Sequence, residues 1–165
     1  MAIEIIATGR AVPAQRITNA DLAKKIDTSD EWIRSHTGIG SRHIADENTS
    51  TSDLATEASL RALEQLVESG RADSVEEAAA SLDIIIVGTT TPDFNGFPST
   101  ACLVQDRIGA KRAGASDIAA GCTGFVYAME MAAGILNMGS QRKRALVIGA
   151  ELLSRLINWE DRSTC

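Results

Sequence analysis

Along the chain the spacing of apolar positions changes period several times, and each change marks a short element. Ile3 to Val12 reads as a first strand, ended by Pro13. Thr18-Asn19-Ala20-Asp21 has the spacing of a capping box and opens a short helix to about Ile26. Thr28-Ser29-Asp30-Glu31 repeats the signal, so a second short helix should carry Trp32 and Ile33. Gly38 and Gly40 mark a turn before a minor strand over Ser41 to Ala45. A long amphipathic helix is expected from about Ser52 to Ser69, with Leu54, Ala58, Ala62 and Leu66 on one face and Gly70 as its stop. Ser74-Val75-Glu76-Glu77 starts a further short helical stretch.

The second half has a different rhythm. Ile84-Ile85-Ile86-Val87, between Asp83 and Gly88-Thr89, is an unbroken apolar run of the kind found in strands covered on both faces. A loop from Thr89 to Pro98 leads to a helix over Ser99 to Ile108, stopped by Gly109. Ser116 to Ala119 is a short strand, Cys122 to Met138 a small-residue helix stopped by Gly139, and Ala145 to Ala150 a last buried strand. Strand–helix–strand–helix–strand implies parallel βαβ units with right-handed crossovers, hence a layered α/β fold: a mostly parallel sheet with helices on both faces.

Composition narrows the partners. With 165 residues, 44% of them apolar, the chain is long enough for one domain with a buried core. Aromatics make up only 4%, so that core must be built from Ala, Ile, Leu and Val. A net charge of −6 gives no general attraction to nucleic acid or an anionic membrane, and neither is expected as a partner. Three cysteines without a CxxC pair speak against a disulfide framework and for a reducing compartment. No basic leader precedes Ile3 and no run reaches the roughly 18 apolar residues of a membrane span, so the expected location is cytoplasmic. The histidines and cysteines lack zinc-like spacing, so no metal is expected. Gly38-Ile39-Gly40 is a lone GxG without the context of a dinucleotide loop.

The sharpest local feature is Asp117-Ile-Ala-Ala-Gly-Cys-Thr-Gly-Phe125, where a strand runs straight into a helix with Cys122 at the junction. This is the cysteine form of a nucleophile elbow: a tight turn lifts the side chain out of the sheet, and small neighbours leave room for an acyl group. Main-chain N–H groups and the positive end of the helix dipole favour a thiolate there and can help hold a thioester oxyanion. The alternative from the residues alone is a buried core cysteine.

Taken together, the motifs are more specific. Thr28-Ser-Asp-Glu-Trp-Ile33, His36-Thr-Gly-Ile39, Thr89-Thr-Thr91, Phe97-Pro-Ser99, Ala119-Ala-Gly-Cys-Thr-Gly-Phe125, Gly149-Ala-Glu151 and Asp161-Arg162 follow one another over essentially the whole chain. In order and near-spacing they resemble the 3-oxoacyl-acyl-carrier-protein synthases III of the thiolase-like superfamily, condensing enzymes that start fatty-acid synthesis. The resemblance implies that Cys122 is the acyl-accepting nucleophile and that Trp32 and Arg162 sandwich the adenine of coenzyme A. It puts Thr28, His36 and Thr37 at the nucleotide entrance, and Thr91, Phe97 and Leu153 at the acyl pocket, with Phe97 reaching across a homodimer. The substrates implied are acyl-coenzyme A and malonyl-acyl-carrier protein, with carbon dioxide released and no cofactor. On residue pattern alone, Trp32 would be a half-buried packing residue, Arg162 a solvated charge and Phe97 a core aromatic.

This chain departs from the pattern at two positions. His36 stands where the family often has Arg, so the permanent cation for the coenzyme's phosphate is missing, and phosphate affinity is expected to be weaker, pH-dependent, or supplied by Arg34 or Arg42 instead. Ser163 replaces a common glycine, and His43 reads as a surface or strand-packing residue. The family's chain is about twice as long and its catalytic histidine and asparagine lie in its second half, so residues 1–165 read as an N-terminal half-domain. Two alternatives stay open: a sibling such as a hydroxymethylglutaryl-coenzyme A synthase or a condensing enzyme of secondary metabolism, and an incomplete half serving only structure or interaction.

Overall fold

The computed structural model describes residues 3–138 and 141–164. Its chain divides into a larger unit, Met1–Ala11 with Ser50–Glu151, and a smaller one, Val12–Thr49 with Leu152–Cys165. In the smaller unit strands β1 (Gln15–Thr18) and β2 (Ser41–Ile44) pair antiparallel, with Gln15 opposite Ile44. Between them come α1 (Asn19–Leu22) and α2 (Asp30–Thr37). The capping box at Thr18 and Asp21 is present, but α1 ends at Leu22, four residues before the expected Ile26. Helix α2 is capped by Ser29, whose Oγ accepts from Trp32 N, one residue later than the Thr28 frame. Gly38, with φ +73°, ends it in the left-handed region. Fully buried Asn19 ties these pieces together: its amide donates to Asp30 Oδ1 at 2.8 Å and Ile39 O at 2.7 Å, and its Oδ1 accepts from Arg42 at 2.8 Å.

The larger unit runs α3 (Thr51–Glu68), α4 (Val75–Ala80), β3 (Ile84–Gly88), α5 (Thr100–Arg107), β4 (Gly114–Ile118), α6 (Gly124–Asn137) and β5 (Ala145–Gly149). The three strands form a parallel sheet in the order β4–β3–β5, so the apolar run at 84–88 is central, as its pattern requires. Period-two alternation then assigns the two faces. Ile85 and Val87 join a core with Ala55, Leu63 and Leu66 of α3 and Ala101 and Val104 of α5, while Ile86 packs with Ala128 and Ala132 of α6. Helices therefore cover both faces, and the layered α/β expectation holds.

Three expectations are corrected. Residues 3–12 form no strand: among the described residues this segment finds no ladder, Thr8 N donates instead to the Gln65 side chain, and Ile6 and Ala7 only lean on the core. An apolar run reports burial, whereas a strand also needs a main-chain partner. The true first strand, Gln15–Thr18, is too polar to be seen in the pattern. In α3 the buried stripe runs through Ser52, Ala55, Ser59, Ala62, Leu63 and Leu66, leaving Leu54 and Ala58 half-buried; Ser59 is tolerated inside because its hydroxyl donates to Ala55 O at 2.6 Å. The helix expected from Cys122 begins at Gly124, after a 3₁₀ turn over Gly121–Thr123, and its expected stop at Gly139 lies outside the described residues.

Helix α6 starts against the sheet because glycines meet there. A Cβ on Gly88 would lie 2.8 Å from the carbonyl carbon of Gly124, and one on Gly149 would lie 3.3 Å from the Phe125 ring. Backbone cannot give way as a flexible side chain can, so Gly88→Ala should destabilise the fold by about 1–3 kcal/mol in chemical denaturation. Gly134, mid-helix in α6 with open space around it, is the control: Gly134→Ala should stabilise by up to about 1 kcal/mol. Acid should also unfold the protein by a traceable route. The Asp53 carboxyl accepts the Ser50 N–H at the start of α3, and Asp83 accepts the N–H groups of Lys143 and Arg144; these bonds hold both below the ordinary carboxylate range. A lowered folded-state pKa contributes stability above the unfolded value, about 3.9, and loses it as pH falls through the folded one. Thermal midpoints should hardly respond to these two groups between pH 7 and about 5 and fall below about pH 4, and Asp53→Asn with Asp83→Asn should flatten that acid limb.

Candidate active site

Parallel strands finish at the same edge of a sheet, and ligands in such sheets bind beyond the carboxyl ends. Here that edge carries Gly121–Thr123 after β4, Thr89–Thr91 after β3 and Ala150–Glu151 after β5. Two bonds prolong the ladders past the strands, Thr89 N to Ile118 O at 3.1 Å and Ala150 N to Gly88 O at 3.2 Å. Gly121 turns the chain with φ +56°, a conformation costly for any residue with a Cβ. Cys122 follows it and is exposed, which removes the buried-core alternative. Each earlier α-helix is capped by a Ser or Thr hydroxyl, from Thr18, Ser29, Ser50, Ser74 and Ser99; no side chain caps the Gly121–Thr123 turn or α6. Thr123 turns its hydroxyl to Ala120 O instead. The start of α6 thus offers main-chain donors beside an exposed thiol, the arrangement that receives a developing oxyanion.

The neighbouring loop is tightly held. Glu151 accepts from Thr90 N at 2.8 Å, from the Thr90 hydroxyl at 3.1 Å and from the Thr91 hydroxyl at 2.6 Å. Buried Thr51 donates to Thr91 O at 2.5 Å, and Thr91 N donates to the buried Thr89 hydroxyl at 3.1 Å. Asp117, on the strand leading to Cys122, accepts the N–H groups of Thr100 and Ala101 at 2.7 Å each and so seats the start of α5. Neither Glu151 nor Asp117 was assigned a role from the sequence, although Glu151 is a lone acid just past an apolar strand and Asp117 a lone acid inside one of the strands, which is the signal available. Phe97 is 93% exposed, so it is no core aromatic.

The smaller unit brings a second group together. Helix α2 presents Trp32 half-buried, with the His36 ring stacked on it at 4.2 Å and 22° and the Arg162 guanidinium carbon 5.1 Å from its centroid. Arg162 is therefore engaged with an aromatic face and is not simply a solvated charge. His36 Nδ1 lies 2.7 Å from Trp32 O, a carbonyl that can only accept, so Nδ1 carries the hydrogen. Arg34, more than half exposed, is tied through Nε to both oxygens of Asp30, and Arg42 is bonded to Asn19 through Nη1 with its Nη2 buried. Thr37 spends its hydroxyl on Ile33 O at 2.7 Å, while the Thr28 hydroxyl is buried without a partner. Leu153 stands exposed in a short 3₁₀ turn. Ser163 fits without a left-handed φ, its N–H donating to Asp161 at 2.8 Å, and His43 reaches Pro13 O at 2.6 Å from β2 as a strand-packing residue should. Among the described residues no three His, Cys, Asp or Glu side chains converge as a metal site, and no helix is long and apolar enough to cross a membrane.

Residues 116–165 match the family described as 3-oxoacyl-[acyl-carrier-protein (ACP)] synthase III. The chain is 52% identical over 161 residues, 98% of its length, to a beta-ketoacyl-[acyl-carrier-protein] synthase III of Xylella fastidiosa, and 52% identical over its whole length to one of Caldanaerobacter subterraneus. A solved 3-oxoacyl-[acyl-carrier-protein] synthase III from Aquifex aeolicus superposes with a TM-score of 0.84 at 48% identity, covering 97% of this chain and 48% of that one. The chain spans about half the length of the curated relatives it matches, 46% in both cases.

Proposed function

We propose, from the resemblance of this chain along nearly its whole length to the 3-oxoacyl-[acyl-carrier-protein] synthases III, that it is the N-terminal half of a condensing acyltransferase. In this reading the Cys122 sulfur attacks the carbonyl of an acyl-coenzyme A, the acyl–sulfur bond passes to Cys122, and coenzyme A leaves as its thiol. Main-chain N–H groups at the start of α6 stabilise the oxyanion formed on the way. Malonyl-acyl-carrier protein then loses carbon dioxide, and the carbanion so formed attacks the Cys122 thioester, making a carbon–carbon bond and returning the thiol. The acid–base groups of that second step, a histidine and an asparagine in the family, would belong to the other half; His36 and His43 are both members of the smaller unit and Cys122 of the larger one. Trp32 and Arg162 would hold the adenine, Thr28, His36 and Thr37 would line the nucleotide entrance, and Thr91, Phe97 and Leu153 the acyl pocket. Phe97, which projects almost wholly into solvent, suits a residue that is completed by a second subunit in a homodimer. The observation that carries the reading is the exposed Cys122, set by left-handed Gly121 at the foot of a helix that no side chain caps.

Incubation of the full-length protein with acetyl-coenzyme A should place one acetyl group on the peptide carrying Cys122, read by mass spectrometry. Cys122→Ser should abolish it, because a serine hydroxyl is a far weaker nucleophile than a cysteine thiol near neutral pH; acetyl on another residue would remove the assignment. Coenzyme A binding should respond to the smaller unit. By calorimetry Trp32→Ala should weaken it by about 1–3 kcal/mol, the worth of one aromatic–base stack. Unchanged affinity in both Trp32→Ala and Arg162→Ala would mean that the nucleotide binds elsewhere.

A further inference from the structure

We infer that Glu151 is a positioning residue of the acyl site: it takes the Thr91 hydroxyl hydrogen, so that Thr91 turns no hydrogen-bond donor toward a bound acyl group. This rests on the reading that Cys122 is acylated and that Thr91 lines the pocket.

The argument begins with the sheet. Gly88 and Gly149 are paired in register on neighbouring parallel strands, so the residues just beyond them, Thr90–Thr91 and Glu151, meet at the same edge as the Cys122 turn. An ionised carboxylate only accepts hydrogen bonds, and a hydroxyl has one hydrogen to give. The 2.6 Å contact between Thr91 Oγ1 and Glu151 Oε2 therefore fixes the direction of the bond, with Thr91 as donor. The second carboxylate oxygen is occupied by Thr90 N at 2.8 Å and the Thr90 hydroxyl at 3.1 Å, which holds the Glu151 side chain in place.

The main chain of Thr91 is anchored separately, its N–H on Thr89 Oγ1 at 3.1 Å and its carbonyl receiving the Thr51 hydroxyl at 2.5 Å. The Thr91 main chain is thus held by Thr51 and Thr89 and that of Thr90 by Glu151, while the orientation of the Thr91 hydroxyl comes from Glu151. An apolar acyl chain gains nothing from a donor aimed at it, and a donor left unsatisfied beneath it carries a desolvation penalty. Consuming that hydrogen on the Glu151 carboxylate leaves no unsatisfied donor at Thr91.

A double-mutant cycle separates this role from a merely structural one. Glu151→Gln keeps size and shape, but once the amide oxygen accepts Thr90 N, the amide nitrogen faces Thr91 and can only donate, which turns the Thr91 hydrogen loose. On the full-length protein, the rate of Cys122 acetylation by acetyl-coenzyme A, followed by mass spectrometry, should fall about tenfold in Glu151→Gln, the size expected for one lost charge-assisted hydrogen bond. In a Thr91→Val background, where there is no hydroxyl to orient, the same substitution should cost less than about twofold. Equal costs in the two backgrounds, or no cost in the first, would overturn the role of Glu151 while leaving the acylation of Cys122 intact. Absence of label on the wild-type Cys122 would overturn the functional reading and this inference with it. If Glu151→Gln does not fold, Glu151→Asp makes the same comparison, since its shorter carboxylate cannot keep both threonine contacts.

Discussion

Everything at the candidate site depends on how closely a helix can approach a strand. Helix α6 begins in contact with the end of β3 because Gly88 and Gly124 leave no side chain between them, and Gly149 makes room for Phe125 on the next strand. That contact lets the chain leave β4, turn at Gly121 and enter α6 within a few residues. A wider spacing would need a longer loop, and Cys122 would lose its place at the helix terminus. Packing of α6 against Ile84, Ile86 and Val147 then makes the sheet rigid beneath the turn, so that the position of the thiol is a property of the core and not of a mobile loop.

Around this contact, polar side chains fix the loops that hydrophobic packing leaves free. Asp117 and Glu151 each accept two or more hydrogen bonds from a neighbouring segment, and Asn19 does similar work in the smaller unit. Carboxylate acceptors make shorter and stronger bonds than neutral ones, and their geometry is directional. Hydrophobic burial chooses the layers; these bonds choose which way the residues at the strand ends face.

The sequence made the buried framework readable because burial leaves a periodic trace. The run Ile84–Val87, the glycine stops at Gly38, Gly70 and Gly109, and the serines that cap α2, α3, α4 and α5 all appear where their chemistry requires. Cys122 was legible for a local reason, the crowding of small residues around one thiol between a strand and a helix. What the pattern missed was pairing. Ile3 to Val12 has the composition of a strand without a partner, and Gln15–Thr18 has a partner without the composition. Likewise the roles of Glu151 and Asp117 depend on contacts with Thr91 and Thr100, which the chain brings close only through the sheet. The stacking of His36 on Trp32 lies between these cases: a spacing of four on a helix permits it, but a second short helical signal alone does not say which rings meet.

The Arg162–Trp32 contact has a consequence for any flat ring that is to bind between the two. Stacked aromatic layers are spaced by about 3.4 Å, as bases are along a nucleic-acid strand, so an intercalated ring needs about 7 Å between its neighbours. The guanidinium here stands 5.1 Å from the indole centroid. That separation is too small for a third layer, so a ring stacking on this face of Trp32 would first have to displace Arg162. The free energy of that displaced cation–π contact is subtracted from whatever the new stack provides.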